Sequence, residues 1–306
     1  RPRPGHIALA AAYRYGDLDL RGSLARSSAR ETAGRVAAGA VAGQLLGAVG
    51  TEVFGFVRSI HQARLDGSVP PMDLAPGPQL QGRRELRDKS RLYTLSEQED
   101  AAMLSAVQEA GRRRDTVGGE VEVWALDVLP GIGSHLQWHE RLDARLAAAV
   151  MSIQAFKGVE IGAGFDCAAA MGSEVHDAIL PGGRRGLLAR SSNRSGGLEG
   201  GTTTGAPLVV RGAMKPISTL RQPLDSVDLA TGEEAPAGYE RSDLCAVAAA
   251  SVVAEAMVAL VVADALLMRV GGETVEEFAA RHRACWERAA QISRGASDDG
   301  GDEPNG

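Results

Sequence analysis

The order of apolar and polar positions along the chain predicts a mixture of strands and helices. Thr51 to Ile60 (TEVFGFVRSI) mixes apolar and polar residues with β-branched character and predicts a strand. Val117 to Leu129 alternates apolar with polar residues, the pattern of a half-buried antiparallel strand. Val159 to Phe165 predicts strand and turn, and Leu208 to Met214 a further strand. Helical periodicity runs through residues 95 to 114, through Leu142 to Lys157 with Gly158 closing it, and through Thr274 to Ile292. Ser28 followed three positions later by Glu31 predicts a capping box and a helix to about Gly47. Gly34, Gly39 and Gly43 lie inside that helix, each costing about 1 kcal/mol of propensity against alanine, which implies that a backbone or a ligand packs closely there. Leu244 to Val270 is long and apolar enough for a membrane span, but Glu255, Asp264 and Arg269 interrupt it, so a buried core helix is expected. Residues 66 to 92 and Pro181 to Gly205 are rich in glycine, proline or charge and read as loops. The acidic, glycine-rich residues 293–306 predict a disordered tail. Strands and helices cluster without regular βαβ alternation, so the expected class is α+β, as a single domain over residues 1–292.

Composition narrows the function classes. The chain has 306 residues, 44% hydrophobic and 24% charged, with a formal charge of -6. That charge disfavours a phosphate-neutralising surface for nucleic acid, and aromatics at 4% argue against stacking platforms for single strands. Cys167, Cys245 and Cys285 are an odd number at wide spacings, which argues for a reducing compartment, the cytoplasm, and against a disulfide framework. The chain begins with Arg1 and no charged-then-apolar leader follows, which reads as the cut edge of a longer protein.

Several clusters could carry chemistry. Arg26-Ser27-Ser28 before the capped helix offers a guanidinium, hydroxyls and a positive dipole end, an anion site or an ordinary cap with a surface arginine. Lys215-Pro216-Ile217-Ser218-Thr219 follows a strand directly and offers a cation and two hydroxyls, a phosphate cradle or a solvated turn. His6 stands in a turn as an acid candidate or a solvated histidine. Asp243 precedes the long apolar helix and reads most simply as its N-cap. His135 and His139 have the spacing of a helical zinc pair, but Pro130, Gly131 and Gly133 oppose a helix there, so no metal is expected. The glycine runs do not fit a dinucleotide fingerprint between strand and helix.

The strings RPGH, RSSARET, MSIQAFKGVEIG, NRSGGLEGG, AMKPISTL and RSDLCAV with VVAEAMVALV occur in the order and near-verbatim form of chorismate synthase segments. Over residues 1 to 290 the chain thus resembles that family. The resemblance implies a β-α-β sandwich with helices packed between antiparallel sheets and a homotetrameric assembly. It also implies conversion of 5-enolpyruvylshikimate 3-phosphate to chorismate and phosphate, dependent on reduced FMN. By motif position, Arg26, Ser27, Ser28, Gln154, Ala155, Gly200, Lys215, Pro216, Ile217, Ser218, Thr219 and Arg241 resemble flavin-binding residues. His6 resembles one of the family's two catalytic histidines, and Asp243 the carboxylate that helps draw a proton from the flavin. The family's Gly-Glu-Ser-His-Gly region with its other catalytic histidine, and the arginine-rich stretch after it, lie outside these residues. Departures occur where the family's His-Ala-Asp reads His6-Ile7-Ala8, where the Pro of CAVP is Ala248, and where GGMTNG reads Gly200-Gly201-Thr202-Thr203-Thr204-Gly205. A degenerate flavin- or phosphate-binding paralogue without turnover, and an unrelated phosphate-binding α+β enzyme, are the competing readings.

Overall fold

A computed structural model describes residues 1–65 and 74–294. Its frame is a five-stranded sheet in the order β2-β1-β3-β9-β4, every neighbouring pair antiparallel. The strands are β1 (Glu52–Ile60), β2 (Ala63–Arg64), β3 (Gly119–Leu126), β4 (Phe156–Ile161) and β9 (Leu208–Met214). Alternation along a strand sends successive side chains to opposite faces. Val53, Gly55 and Val57 therefore share a face with Val121, Val123 and Ala125 and with Leu208, Val210 and Gly212. That face is small and apolar because helices lie on it: α6 (Leu142–Met151) and α9 (Val247–Val270), with α3 (Thr32–Gly47) packed along α9. The opposite face carries Phe54, Phe56 and Trp124, whose rings meet at 4.9–5.9 Å, and a cross-strand ladder of charge. In that ladder Arg58 pairs with Glu122 at 3.0 Å, and Arg211 with Glu160 at 3.2 Å.

The other helices are α1 (Ala8–Tyr15), α2 (Arg21–Arg26), α4 (Pro78–Lys89), α5 (Glu97–Arg112), the short α7 (Asp166–Ala169) and α8 (Gly172–Val175), and α10 (Val275–Arg294). The glycine-rich stretch builds two-residue strands rather than open loop: β5 (Ile179–Leu180) pairs with β6 (Ala189–Arg190), and β7 (Leu198–Glu199) with β8 (Thr202–Thr203). A last hairpin joins β10 (Asp225–Val227) to β11 (Glu234–Pro236). Helices with antiparallel sheets make the class α+β. The apolar helix α9 is a core element: Ala254, Val258, Val262 and Leu266 are fully buried against the sheet layer.

Five expectations are corrected. Residues 78–89 are helical; Pro78 at the first turn preorganises the start, and Leu80 is buried. The rest of that predicted loop, residues 66–73, lies outside the described residues. The helix expected to reach Lys157 ends at Met151, because Phe156 onward is claimed by the ladder with β9. The capping box does not form: Ser28 Oγ accepts from the Arg30 amide at 3.3 Å and opens a 3-10 turn over Ala29–Glu31, while Glu31 turns to Arg35 and Gln154. Asp243 does not cap α9, which starts at Val247 without a side-chain cap; the Leu244 carbonyl is drawn to the Val117 amide at 3.0 Å, and the helix begins only after Ala246. Finally, α10 continues through Ser293 and Arg294, and residues 295–306 of the expected tail lie outside the described residues.

Candidate active site

The strand order places the C-terminal end of β9 beside the N-terminal end of β4, and both strand ends open on a cleft of about 620 Å³. That is a size typical of small-molecule sites. Its first wall is the turn after β9. Gly118 permits it, since a Cβ there would overlap the main chain of Met214 to Pro216, and Thr116 Oγ1 donates to the Ile217 carbonyl at 2.7 Å. Lys215, Ile217, Ser218 and Thr219 line this wall. Pro216 shapes the turn from outside the lining.

The second wall is the turn between α6 and β4. Ala155 takes φ +68°, and its carbonyl accepts from the Lys215 amide at 2.9 Å, locking the two turns together. A non-glycine residue in the left-handed region stores strain of a kind that clusters at functional sites. Beside it, the Gln154 amide Nε2 donates to Glu31, while Gln154 Oε1 is buried with no hydrogen-bond partner among the described residues.

The third wall is the N-terminal segment. Gly5 at φ +74° brings the chain within 3.7 Å of Lys215 Nζ, counted from the position a Cβ would take. Arg3 donates to Thr219 Oγ1 at 2.5 Å, lies 3.4 Å from His6 Nε2 and pairs with Glu240 at 3.5 Å. His6 Nδ1 accepts the Ala8 amide hydrogen at 3.2 Å. Burial and the Arg3 charge lower the His6 pKa; Glu240 opposes this and Lys215 adds to it. Ser27 and Ser28 line the opposite side, with Arg241, Ser242 and Asp243 at the rim. The floor is the first turns of α9, through Ala246, Ala249, Ala250 and Val253, so the positive end of a 24-residue helix dipole faces the cleft.

The field of the site favours an anion. Lys215 makes no ion pair among the described residues, only a 3.4 Å contact to the Pro216 carbonyl, and burial followed by the Lys157 charge lowers its pKa. Arg241 also has no hydrogen bond or ion pair among the described residues.

Of the residues singled out in the sequence, His6, Ser27, Ser28, Gln154, Ala155, Lys215, Ile217, Ser218, Thr219, Arg241 and Asp243 line this one cleft. Arg26 ends α2 immediately before it. Gly200 is elsewhere: it forms the β7-β8 turn at φ +57°, next to Gly201, whose carbonyl accepts from the Leu142 amide. His135 and His139 lie in a non-helical segment. Arg3, Glu240 and the alanines of α9 also line the cleft, and Glu31 bonds Gln154 behind it, none of which motif reading assigned to the site. Arg3, within RPGH, Glu31, within RSSARET, and Ala246, within RSDLCAV, carried a usable signal.

Residues 1–267 match the sequence profile of the chorismate synthase family. The chorismate synthase of Aquifex aeolicus is 48% identical over 281 residues, 92% of this chain and 70% of that protein. The chain belongs to the chorismate synthase family. The Mycobacterium avium enzyme is 48% identical over 302 residues, covering 97% of this chain and 73% of its own length. A solved chorismate synthase crystal structure superposes with a TM-score of 0.78 at 40% identity, over 93% of this chain and 77% of the other. The chorismate synthase fold therefore extends over nearly the whole chain, and the cleft's five contributing segments come from regions far apart in sequence.

Proposed function

We propose that the cleft binds reduced FMN and 5-enolpyruvylshikimate 3-phosphate, and that the chain catalyses the trans-1,4-elimination of phosphate that yields chorismate. The observation that carries this is the convergence of unpaired cations, hydroxyls and a helix N-terminus on one space of about 620 Å³. Family membership makes the chain a lyase acting on a small molecule.

The residues present suit a phosphorylated isoalloxazine. The unpartnered, buried Gln154 Oε1 is an acceptor awaiting a donor. Lys215, Ser218, Thr219 and Arg241, with Ser27, Ser28 and Arg26 opposite, would hold phosphate and ring, and the Ala155 main chain would border them. When bound, reduced FMN supplies electron density to the substrate ring as phosphate leaves, with no net redox change.

The chain's own groups do the rest. Lys215 and Arg241 neutralise polyanionic ligands, and α9's dipole adds to them. With Nδ1 accepting from Ala8, a neutral His6 would carry its ring proton at Nε2, the nitrogen 3.4 Å from Arg3. An anionic ligand opposes the depressing charges of Arg3 and Lys215 and returns the imidazole toward its proton-donating form. Asp243, exposed at the rim, would be the carboxylate that accepts a proton.

Three free cysteines support a cytoplasmic setting. For the assembly we propose the homotetramer that the family resemblance implies.

The deciding experiment is an anaerobic assay of the full-length polypeptide with reduced FMN and 5-enolpyruvylshikimate 3-phosphate, beside FMN binding by fluorescence quenching. Lys215→Ala and Ser27→Ala should each weaken FMN at least ~10-fold, the size expected from removing a charge-assisted contact. His6→Ala should lower turnover far more than binding. Binding without turnover in the unsubstituted protein would identify a non-catalytic member, and unchanged quenching in both binding variants would end the site assignment.

A further inference from the structure

Glu31 stands behind the cleft and has no role in the chemistry above, yet its surroundings are fully built. Its Oε2 accepts from Arg35 Nε at 3.0 Å, and its Oε1 accepts from Arg35 Nη2 at 2.8 Å and from Gln154 Nε2. Arg35 in turn donates to Ser152 Oγ at 2.8 Å and contacts the Ser152 carbonyl at 3.4 Å. Ser152 lies two residues before Gln154, so Glu31, Arg35 and the 152–154 turn form a closed ring of contacts. Hydrogen bonds from Arg35 and then Gln154 hold the Glu31 carboxyl below the usual carboxylate range, so it is charged at neutral pH.

A carboxylate only accepts hydrogen bonds, whereas a primary amide presents a donor end and an acceptor end of nearly the same shape. Whichever end of Gln154 faces Glu31 must therefore be the NH₂ end. The carbonyl is then the end left over, and it is the atom found buried without a partner. Burying an acceptor unpaired is costly unless something arrives to donate to it. The α3 side of the cleft thus sets, through one carboxylate, which hydrogen-bonding sign is left unpaired on Gln154, a residue of the cleft lining.

We propose that Glu31 is a positioning residue for ligand recognition: it fixes the orientation of the Gln154 amide so that Oε1 is held ready for a ring N–H of the heterocycle bound in the cleft. This rests on the flavin assignment made above.

FMN and riboflavin binding by fluorescence quenching test it with Glu31→Gln, Gln154→Ala, the double variant, and the exchanged pair Glu31→Gln/Gln154→Glu. Glu31→Gln keeps size and an acceptor for Arg35 but lets the Gln154 amide turn over. It should weaken FMN and riboflavin equally, by about 10-fold, the cost of one misplaced hydrogen bond. Gln154→Ala should weaken both similarly, and the double variant should be no weaker than either single one. The exchanged pair restores donor to acceptor between the positions and leaves an acceptor oxygen at 154, so it should regain most of the lost affinity.

Gln154→Ala that binds like the unsubstituted protein would remove the flavin assignment at this residue, and the proposal with it. Normal binding by Glu31→Gln, in a protein that Gln154→Ala does weaken, overturns the positioning role alone. Additive losses in the double variant also overturn it. If Glu31→Gln lowers the melting temperature, the exchanged pair decides: native stability with unrecovered affinity overturns the proposal, and recovered affinity upholds it.

Discussion

Ala155 concentrates the local physics of the cleft. Its left-handed conformation turns the Ala155 carbonyl onto the Lys215 amide and leaves Gln154 facing Glu31, so one unusual φ sets two contacts. Alanine tolerates this at a modest cost, and glycine would remove the cost while loosening the unfolded chain. Ala155→Gly should accordingly stay within about 1 kcal/mol of the parent in urea unfolding. Ala155→Val, whose branched Cβ resists positive φ, should lose roughly 1–3 kcal/mol and weaken FMN as well. A valine variant of full stability would show that the turn is not strained. Asp127 and Arg185 also adopt positive φ; two arginines, Arg184 and Arg185, bracket the Asp127 carboxylate at 2.7 and 2.8 Å, which secures that corner away from the cleft.

At the level of elements, the glycine-rich α3 divides by face. A Cβ on Gly39 would overlap Ala256 of α9, so the close approach expected of this helix is real at that one position, whereas a Cβ on Gly34 or Gly43 would meet nothing within 4 Å among the described residues. Substitution should separate them. Gly39→Val should cost about 1–3 kcal/mol through overpacking, or displace α3 from α9. Gly34→Ala and Gly43→Ala should each gain up to about 1 kcal/mol from helix propensity alone. Chemical denaturation of the three variants reads the contrast, and a tolerated valine at 39 would contradict the packing. α9 and the sheet are also joined by Glu255, which accepts from the Gly55 amide at 2.7 Å and from Arg87 of α4 at 2.9 Å; burial pushes its carboxyl up despite those partners. A residue that reads in the sequence as an interruption of an apolar run is thereby the point where three elements meet.

For the whole molecule, acid sensitivity should trace to the docking of α10. His282 is only 4% exposed, lies between Phe278 and Trp286, and accepts from Trp286 Nε1 at 3.3 Å. Burial first, and the Arg185 charge second, pull its pKa from 6.5 down to about 4. The folded state therefore favours the neutral ring. Its contribution is complete above the unfolded value of 6.5 and is lost as pH falls through the folded value of about 4. The loss is on the order of 3 kcal/mol by proton linkage. Unfolding free energies compared across that window should fall for the parent and stay flatter for His282→Gln; parallel curves would place the acid-sensitive group elsewhere. The formal charge of -6 says nothing of this, nor of the anion-seeking cleft, because net charge does not report where unpaired cations lie.

Local pattern determined most of the secondary structure, through β-branched or alternating runs at β1, β3 and β9, helical period at α5 and α10 and a long apolar run at α9, and the motif strings in order determined the family. The half-buried strand expected at Val117 to Leu129 is instead buried on both faces, as β1 is, because helices cover one face of the sheet and aromatic rings the other. The helix at 78–89 was hidden because its sequence is dominated by polar residues and opens with proline, with Leu80 as its one buried side chain. Local rules also misplaced the end of α6 and the capping roles of Glu31 and Asp243. In each case a long-range partner outbid the local one: the β9 ladder for Phe156, Gln154 for Glu31, Val117 for Leu244. Eleven of the fourteen residues proposed for the site share one cleft lining, while Gly200 lies in another hairpin, and neither outcome could be read from motifs that carry no distances. Residue types and their order follow from the chain itself. Which of them face one another follows only from the sheet register that brings the ends of β4 and β9 together, because contacts separated by many residues are bought by packing and not by local preference.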